Sequence, residues 1–264
     1  MLFRSYETSA PCEFRNSPPA CIGNPCVNLV KRALITGAGG GIGRAIALRL
    51  SESGMKLALV GRDPQKLVRT AALTGRPLDM LVLPADLTTP RGMNDVLHIL
   101  TGHFKGLDVL INNAGVALNR SLEETSMAEY DRVMAINARV PYELCQRCLP
   151  LLRTSEIPTI INIGSVVSHK GYANQSAYAA SKHALLGMTK ALAKEVAPEG
   201  IRVHVISPGG VFTDMVRIAR PDLTEEGMIV PEEIAELAAY LIEHRCAGII
   251  DEIQIHRTGK EPFV

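Results

Sequence analysis

The sequence predicts one doubly wound α/β domain built on a parallel sheet, and three observations carry that prediction. From Val30 onward, short β-branched or aliphatic runs alternate with amphipathic segments, the order that βαβ units produce. A glycine-rich turn joins the first run to the first amphipathic segment. The chemically suggestive residues each follow the carboxyl end of a run, the edge on which right-handed crossovers gather the ligand site of such sheets.

Strands are expected over residues 32–36, 56–60, 81–84, 109–112, 159–163, 202–206 and 252–256, with helices between them. The first strand enters Thr36-Gly37-Ala38-Gly39-Gly40-Gly41-Ile42-Gly43, and a helix is expected over 42–53. Glycines permit a tight turn and close backbone approach, and free N–H groups at a helix start attract phosphate. In this context the turn reads as the dinucleotide cradle of a Rossmann-type domain. The second strand leads to Gly61 and Arg62, and Asp63-Pro64 then reads as a helix N-cap with proline at the first helical position. Asp86 follows the third strand, Asn113-Ala114-Gly115 the fourth, Ser165 the fifth and Pro208-Gly209-Gly210-Val211-Phe212-Thr213 the sixth. Between the fourth and fifth, a helix over Val140–Leu152 carries Cys145 and Cys148, whose CxxC lacks the strand and turn of a redox motif and reads as ordinary helix cysteines.

Composition agrees with a globular domain over residues 30–264. Of 264 residues, 47% are hydrophobic and 21% charged, enough apolar material for a substantial core. A net charge of +1 offers no basic excess for nucleic acid, and no apolar run reaches the roughly 18 residues of a membrane span. A soluble, cytoplasmic protein is the expectation. Residues 1–29 are polar, hold Cys12, Cys21 and Cys26 without metal-ligand spacing, and read as a flexible extension. No metal site is expected.

The cofactor choice turns on the end of the second strand. A search for an acidic ribose ligand some 20 residues past the glycines reaches Asp63, which the helix start claims. With Gly61 and Arg62 at the strand end, a 2′-phosphate meets a guanidinium rather than a carboxylate, so NADP(H) is favoured over NAD(H). Thirteen residues after Ser165, Tyr178-Ala179-Ala180-Ser181-Lys182 places a tyrosine and a lysine four apart, on one helix face. A phenol of ordinary pKa about 10 needs nearby positive charge to act as a base; Lys182 and an oxidised nicotinamide would provide it. Tyr178 would then exchange a proton with a substrate oxygen that Ser165 also binds.

The glycine cradle, Asn113-Ala114-Gly115, Ser165, Tyr178 and Lys182, in this order, resemble the short-chain dehydrogenase/reductase family from Lys31 to about Met215. The resemblance implies an oxidoreductase that interconverts a small-molecule carbonyl and alcohol. It implies that Gly37, Gly41 and Gly43, with Gly39 and Ile42 between them, hold the cofactor, and that Asp86, with Leu87 beside it, meets the adenine. It implies that Asn113, Ala114 and Gly115 line the cleft, and that Pro208, Gly209, Val211 and Thr213 grip the carboxamide. It adds Asn137 to Ser165, Tyr178 and Lys182 as a fourth catalytic residue holding a water, and gives Lys182 a second role on the nicotinamide ribose. It also implies a homodimer or homotetramer built partly from residues 140–152 and 179–197.

Two departures stand out. The lid region, 214–230, is short and charged, and the run Ile249–Thr258 lacks the paired glycines of many relatives. Gln175, three residues before Tyr178, and the run Ile163-Gly164-Ser165-Val166-Val167 resemble 3-oxoacyl-thioester (acyl carrier protein) reductases, an alternative activity. His169, Tyr172 and Asn174 are expected at the cleft border. A reading of another class is a nucleotide-sensing or scaffold protein that kept the fold without catalysis.

Overall fold

The computed structural model describes residues 31–219 and 224–260. The extension expected over 1–29 lies outside them, as do Arg220 and Asp222 of the lid region. Seven strands form one parallel sheet: β1 (Arg32–Thr36), β2 (Lys56–Gly61), β3 (Met80–Pro84), β4 (Val109–Asn112), β5 (Thr159–Ile163), β6 (Arg202–Pro208) and β7 (Glu252–Ile255). Their order is β3-β2-β1-β4-β5-β6-β7. The chain therefore reverses direction between β1 and β4, where a crevice must open at the strands' carboxyl ends.

Both faces of the sheet are covered, which is why its strands are apolar at consecutive positions rather than alternating ones. Ile35, Leu59 and Ile161 pack with Ile46, Leu50, Leu67 and Ile234 from α1 (Gly41–Glu52), α2 (Pro64–Leu73) and α8 (Pro231–Glu243), the last preceded by the short α7 (Asp214–Ala219). The neighbouring residues Leu34, Val60 and Ile160 point to the opposite face. There they meet Leu100, Leu144 and Leu192 from α3 (Pro90–Phe104), α5 (Val140–Leu152) and α6 (Ser176–Val196). Cys145 and Cys148 lie in this second layer, where burial pushes both thiols up to about 12, so they are packing residues.

The expected elements are present with shifted ends. β2 runs on to Gly61 and β3 starts at Met80 because Gly61 pairs Pro84 and Leu57 pairs Met80. β6 reaches Pro208, which pairs Ile255, where β7 stops. α1 begins and ends one residue earlier than expected. Asp63 caps α2 as its sequence suggests, accepting from the N–H groups of Gln65 and Lys66 at 3.0 and 3.1 Å, with Pro64 following.

α4 (Met127–Met134) starts with a reciprocal Ser126–Glu129 cap and passes through one wide π-type turn, Ala135–Arg139, into α5. The α-helical partner of the Asn137 carbonyl would be the N–H of residue 141. That residue is Pro141, which has none, so the regular ladder cannot pass through Asn137. Among the described residues no helix is long and apolar enough to cross a membrane.

Candidate active site

Two adjoining cavities open along the carboxyl edge of the sheet, of about 280 and 350 Å³. Both are lined by Gly37, Gly39, Gly40, Lys66, Ala114 and Gly115, so they form one cleft waisted over the glycine turn. At Gly37 the backbone has φ +68°, and an added Cβ would lie 2.8 Å from Asn113 Nδ2. At Gly43 a Cβ would lie 2.3 Å from the Gly37 carbonyl oxygen. These contacts bring α1 hard against the end of β1. Gly40, the N-cap of α1, offers no side chain to the first turn, whose N–H groups face the waist free of a side-chain acceptor.

The floor of the waist is tied together by Thr36 and Asn113. Thr36 Oγ1 accepts from the backbone N–H of Asn113 and of Ala114, each at 3.0 Å. Asn113 Nδ2 donates back to the Thr36 carbonyl at 2.9 Å. β1 and β4 are thereby locked at the point where the strand order reverses. Behind the glycine turn, Arg44 donates to the Gly39 carbonyl and to Thr70, and Thr70 donates to the Ala38 carbonyl at 2.9 Å.

The chamber beyond β2 and β3 is lined by Arg62, Lys66, Asp86, Leu87 and Thr88, with Ile136 and Val140 from the helical layer. Arg62 and Lys66 are exposed. Asp86 closes its own turn, accepting from the Thr88 hydroxyl at 2.6 Å and the Thr88 N–H at 2.9 Å. These bonds, aided by the nearby Arg62 charge, hold its carboxyl below the usual carboxylate range. The Asp63 carboxylate is engaged by its own helix, so this chamber carries two cations at the end of β2.

The other chamber is lined by Ser165, Tyr178, Lys182, Pro208, Val211 and Thr213, among others. Lys182 is buried, donates from Nζ to the Ile163 carbonyl at 2.8 Å, and lies 6.0 Å from the Tyr178 ring centroid. Ser165 caps a short turn, Val166–Ser168: its Oγ accepts from the Val167 N–H at 3.2 Å, and its own N–H donates to Ser168 Oγ at 3.2 Å. Asn137 is buried, and its amide clamps Val116 from both sides, accepting from the N–H and donating to the carbonyl, each at 2.9 Å. It also donates to Ser181 Oγ at 3.0 Å, and Ser181 donates to the Tyr178 carbonyl at 2.8 Å. The π-type turn is thus braced against the start of α6.

Burial dominates the electrostatics of this chamber. Burial raises the Tyr178 phenol above its ordinary value, with the Ser165 hydroxyl opposing the shift. Burial also lowers Lys182 to about 8. At about 8 Lys182 is still mostly protonated near pH 7, but burial outweighs its effect on the phenol; the low tyrosine pKa is expected only with an oxidised nicotinamide beside both groups. The reason is enclosure: desolvation disfavours phenolate and ammonium alike.

Most residues picked from the sequence line the cleft, including Gly37, Gly39, Gly41, Ile42, Asn113, Ala114, Gly115, Pro208, Gly209, Val211 and Thr213. Gly43 and Asn137 stand behind its wall, where they set the approach of α1 and of Val116. Gln175 sits at the N-cap of α6 and lines neither chamber. Sequence reasoning missed Lys66, Val116, Asp214 and Val216, all at the wall. Lys66 was within reach of that reasoning, because a residue three past the N-cap Asp63 lies in a first turn that leans back over the strand end.

A family model for short chain dehydrogenases matches residues 31–224. D-beta-hydroxybutyrate dehydrogenase from Rhizobium meliloti (strain 1021) is 33% identical over 244 residues, covering 84% of this chain and 95% of that protein. A metagenomic short-chain oxidoreductase solved in complex with NADP superposes with a TM-score of 0.75 at 29% identity, covering 86% of this chain and 97% of that one. The 3-ketoacyl-(acyl-carrier-protein) reductase from Brucella melitensis, complexed with NADH, gives a TM-score of 0.76 at 28% identity, covering 86% and 96%.

Proposed function

The chain belongs to the short-chain dehydrogenase family, and on that premise we propose that it reduces a small carbonyl compound with NADPH, Tyr178 supplying the proton. The observation that carries this reading is the waisted cleft: two chambers meeting over an uncapped helix start, with Ser165, Tyr178 and Lys182 in one chamber and two cations in the other. A dinucleotide has this shape, with its pyrophosphate between two nucleosides, and the start of α1 is a ready anion site. Arg62 and Lys66 would receive a 2′-phosphate, Asp86 and Leu87 the adenine side, and Lys182 the nicotinamide ribose. The wall of Pro208, Gly209, Val211 and Thr213 would meet the carboxamide.

A bound reduced nicotinamide supplies the hydride. Ser165 donates to the substrate oxygen, and Tyr178, kept protonated by burial, passes its proton to that oxygen as negative charge develops there. Lys182, lowered to about 8, releases a proton more readily than a lysine of ordinary pKa and is still mostly protonated near pH 7, which suits it to return a proton to Tyr178 and regain one from solvent. Asn137 keeps Val116 and the α6 start in place around this exchange. The same groups run the oxidation once a positively charged ring favours the phenolate.

The test is NADPH and NADH oxidation against ketones, 3-oxo acids and 3-oxoacyl thioesters; the last two are included because the named relatives act on oxygen at that carbon. Tyr178→Phe is expected to lower kcat at least about 100-fold with cofactor affinity retained. Retained turnover overturns the role of Tyr178, and a wild type that binds cofactor without turnover would favour a nucleotide sensor. Equal use of NADH, or an Arg62→Ala variant with undiminished NADPH affinity, overturns the cofactor preference. We further propose a homodimer or homotetramer built partly on α5 and α6, where Tyr142 is exposed; a monomeric mass at micromolar concentration overturns it.

A further inference from the structure

The outer strand β7 brings a carboxylate, Glu252, to the back of the active-site wall. Its Oε1 accepts from Ser207 Oγ at 2.8 Å and from His169 Nε2 at 2.5 Å. Ser207 is fully buried and immediately precedes Pro208. His169 closes the turn that Ser165 caps, its N–H donating to the Val166 carbonyl at 3.2 Å. The two active-site segments are packed closely here, since a Cβ on Gly164 would lie 2.8 Å from Ser207 Oγ. β7 also receives the next step of the loop, Gly209 N–H donating to the Ile255 carbonyl at 2.7 Å.

One oxygen atom therefore joins the Ser165 turn to the strand end that becomes the Pro208–Thr213 wall. The side chains of Glu252 and His169 are 19% and 26% exposed, while the Ser207 hydroxyl that shares the same carboxylate oxygen belongs to a fully buried residue. Neither Glu252 nor His169 lines the cleft, so they reach the chemistry only through what they hold.

We propose that Glu252 is a positioning residue: by accepting from Ser207 and His169 it fixes the separation between Ser165 and the Pro208–Thr213 wall, and so aligns the substrate oxygen with the hydride donor. This rests on the carbonyl-reductase reading of the same site. Small misplacements of reacting groups cost rate far more than binding, so the effect belongs in hydride transfer and not in cofactor affinity.

The experiment compares Glu252→Leu, Glu252→Gln and, as a control for stability, Glu243→Leu, which removes bonds to Arg49 and Ser53 between α1 and α8. The single-turnover hydride-transfer rate is measured well below Tm. Glu252→Leu is expected to slow hydride transfer about tenfold or more with the NADPH Kd within about twofold. Glu252→Gln, which still accepts from the hydroxyl and the imidazole N–H, recovers most of that loss, and Glu243→Leu lowers Tm alone. A Glu252→Leu protein that loses Tm but keeps its rate overturns the proposal, as does a Gln variant as slow as the Leu variant.

Should Glu252→Leu fail to fold, His169→Ala, at the more exposed end of the pair, is expected to slow transfer in the same direction, and an unchanged rate overturns the proposal. If the wild type turns over none of the carbonyls, the functional reading fails separately. Amide hydrogen exchange then reads the clamp: faster exchange confined to residues 166–169 in Glu252→Leu supports it, and unchanged exchange overturns it.

Discussion

Lys182 and Tyr178 show how enclosure decides the behaviour of a single residue. Lys182 falls to about 8 from an ordinary 10.5. Between pH 8 and 10 the unfolded chain holds a proton on this lysine that the folded chain has released, so its contribution makes stability rise with pH across that window. Cys145 and Cys148, raised from 9.0 to about 12, act in the opposite sense above pH 9, as Tyr178 does above pH 10. Comparison with Lys182→Met isolates the lysine. The stability advantage of the methionine variant at pH 7 is expected to shrink by about 2–3 kcal/mol by pH 10, measured by urea unfolding at both pH values. An advantage that does not change with pH would place the lysine in a solvated setting.

At the scale of elements, the junction of β1 and α1 sets the cleft, and its glycines are not equivalent. Alanine improves helix propensity over glycine by about 1 kcal/mol, but at Gly43 its Cβ would meet a backbone carbonyl oxygen at 2.3 Å. Backbone cannot swing aside as a side chain can, so the clash wins. Gly43→Ala is expected to cost about 1–3 kcal/mol and to weaken cofactor binding, because the helix start must move. Gly40, where a Cβ meets nothing within 4 Å, should accept alanine at no more than about 1 kcal/mol, the ordinary N-cap preference for glycine. Thermal melts of the two variants, with and without NADPH, check both. The π-type turn is the other decisive junction: Pro141 interrupts the helical ladder at Asn137, and the Asn137 side chain ties that interruption to Val116 and Ser181.

Across the whole molecule, the proposed cofactor would bridge both halves of the sheet, from the β2–β3 side to the β5–β6 side, over the reversal between β1 and β4. Ligand that binds only the folded state stabilises it in proportion to the logarithm of its concentration over Kd. At a hundredfold excess this is about 2.7 kcal/mol, or a rise in Tm of about 5–10 °C for a domain of this size. NADPH is expected to raise Tm by this amount and NADH by less at equal concentration. Tyr178→Phe should keep the shift and Arg62→Ala should lose much of it. Equal shifts with the two cofactors would contradict the roles given to Arg62 and Lys66.

The order of the strands along the chain, the glycine turn, the Asp63 cap with Pro64, and the placing of Tyr178 and Lys182 on one helix face were all determined by the sequence itself. Each depends on residues a few positions apart, so periodicity, capping chemistry and spacing are sufficient to read it. The tertiary structure alone decided which strands are neighbours, that two chambers meet over one turn, and that Lys66 stands beside Gly39 at the waist. It also decided that Asn137 spends its side chain on Val116 and Ser181, and that Glu252 reaches His169 and Ser207 across 83 and 45 positions of chain. It also decided how deeply the Tyr178 phenol is enclosed, and burial raises it above its ordinary value among these residues alone. Contacts over such separations leave no local pattern, and a pKa depends on how completely the rest of the fold excludes water from a group, which no short stretch of residues specifies.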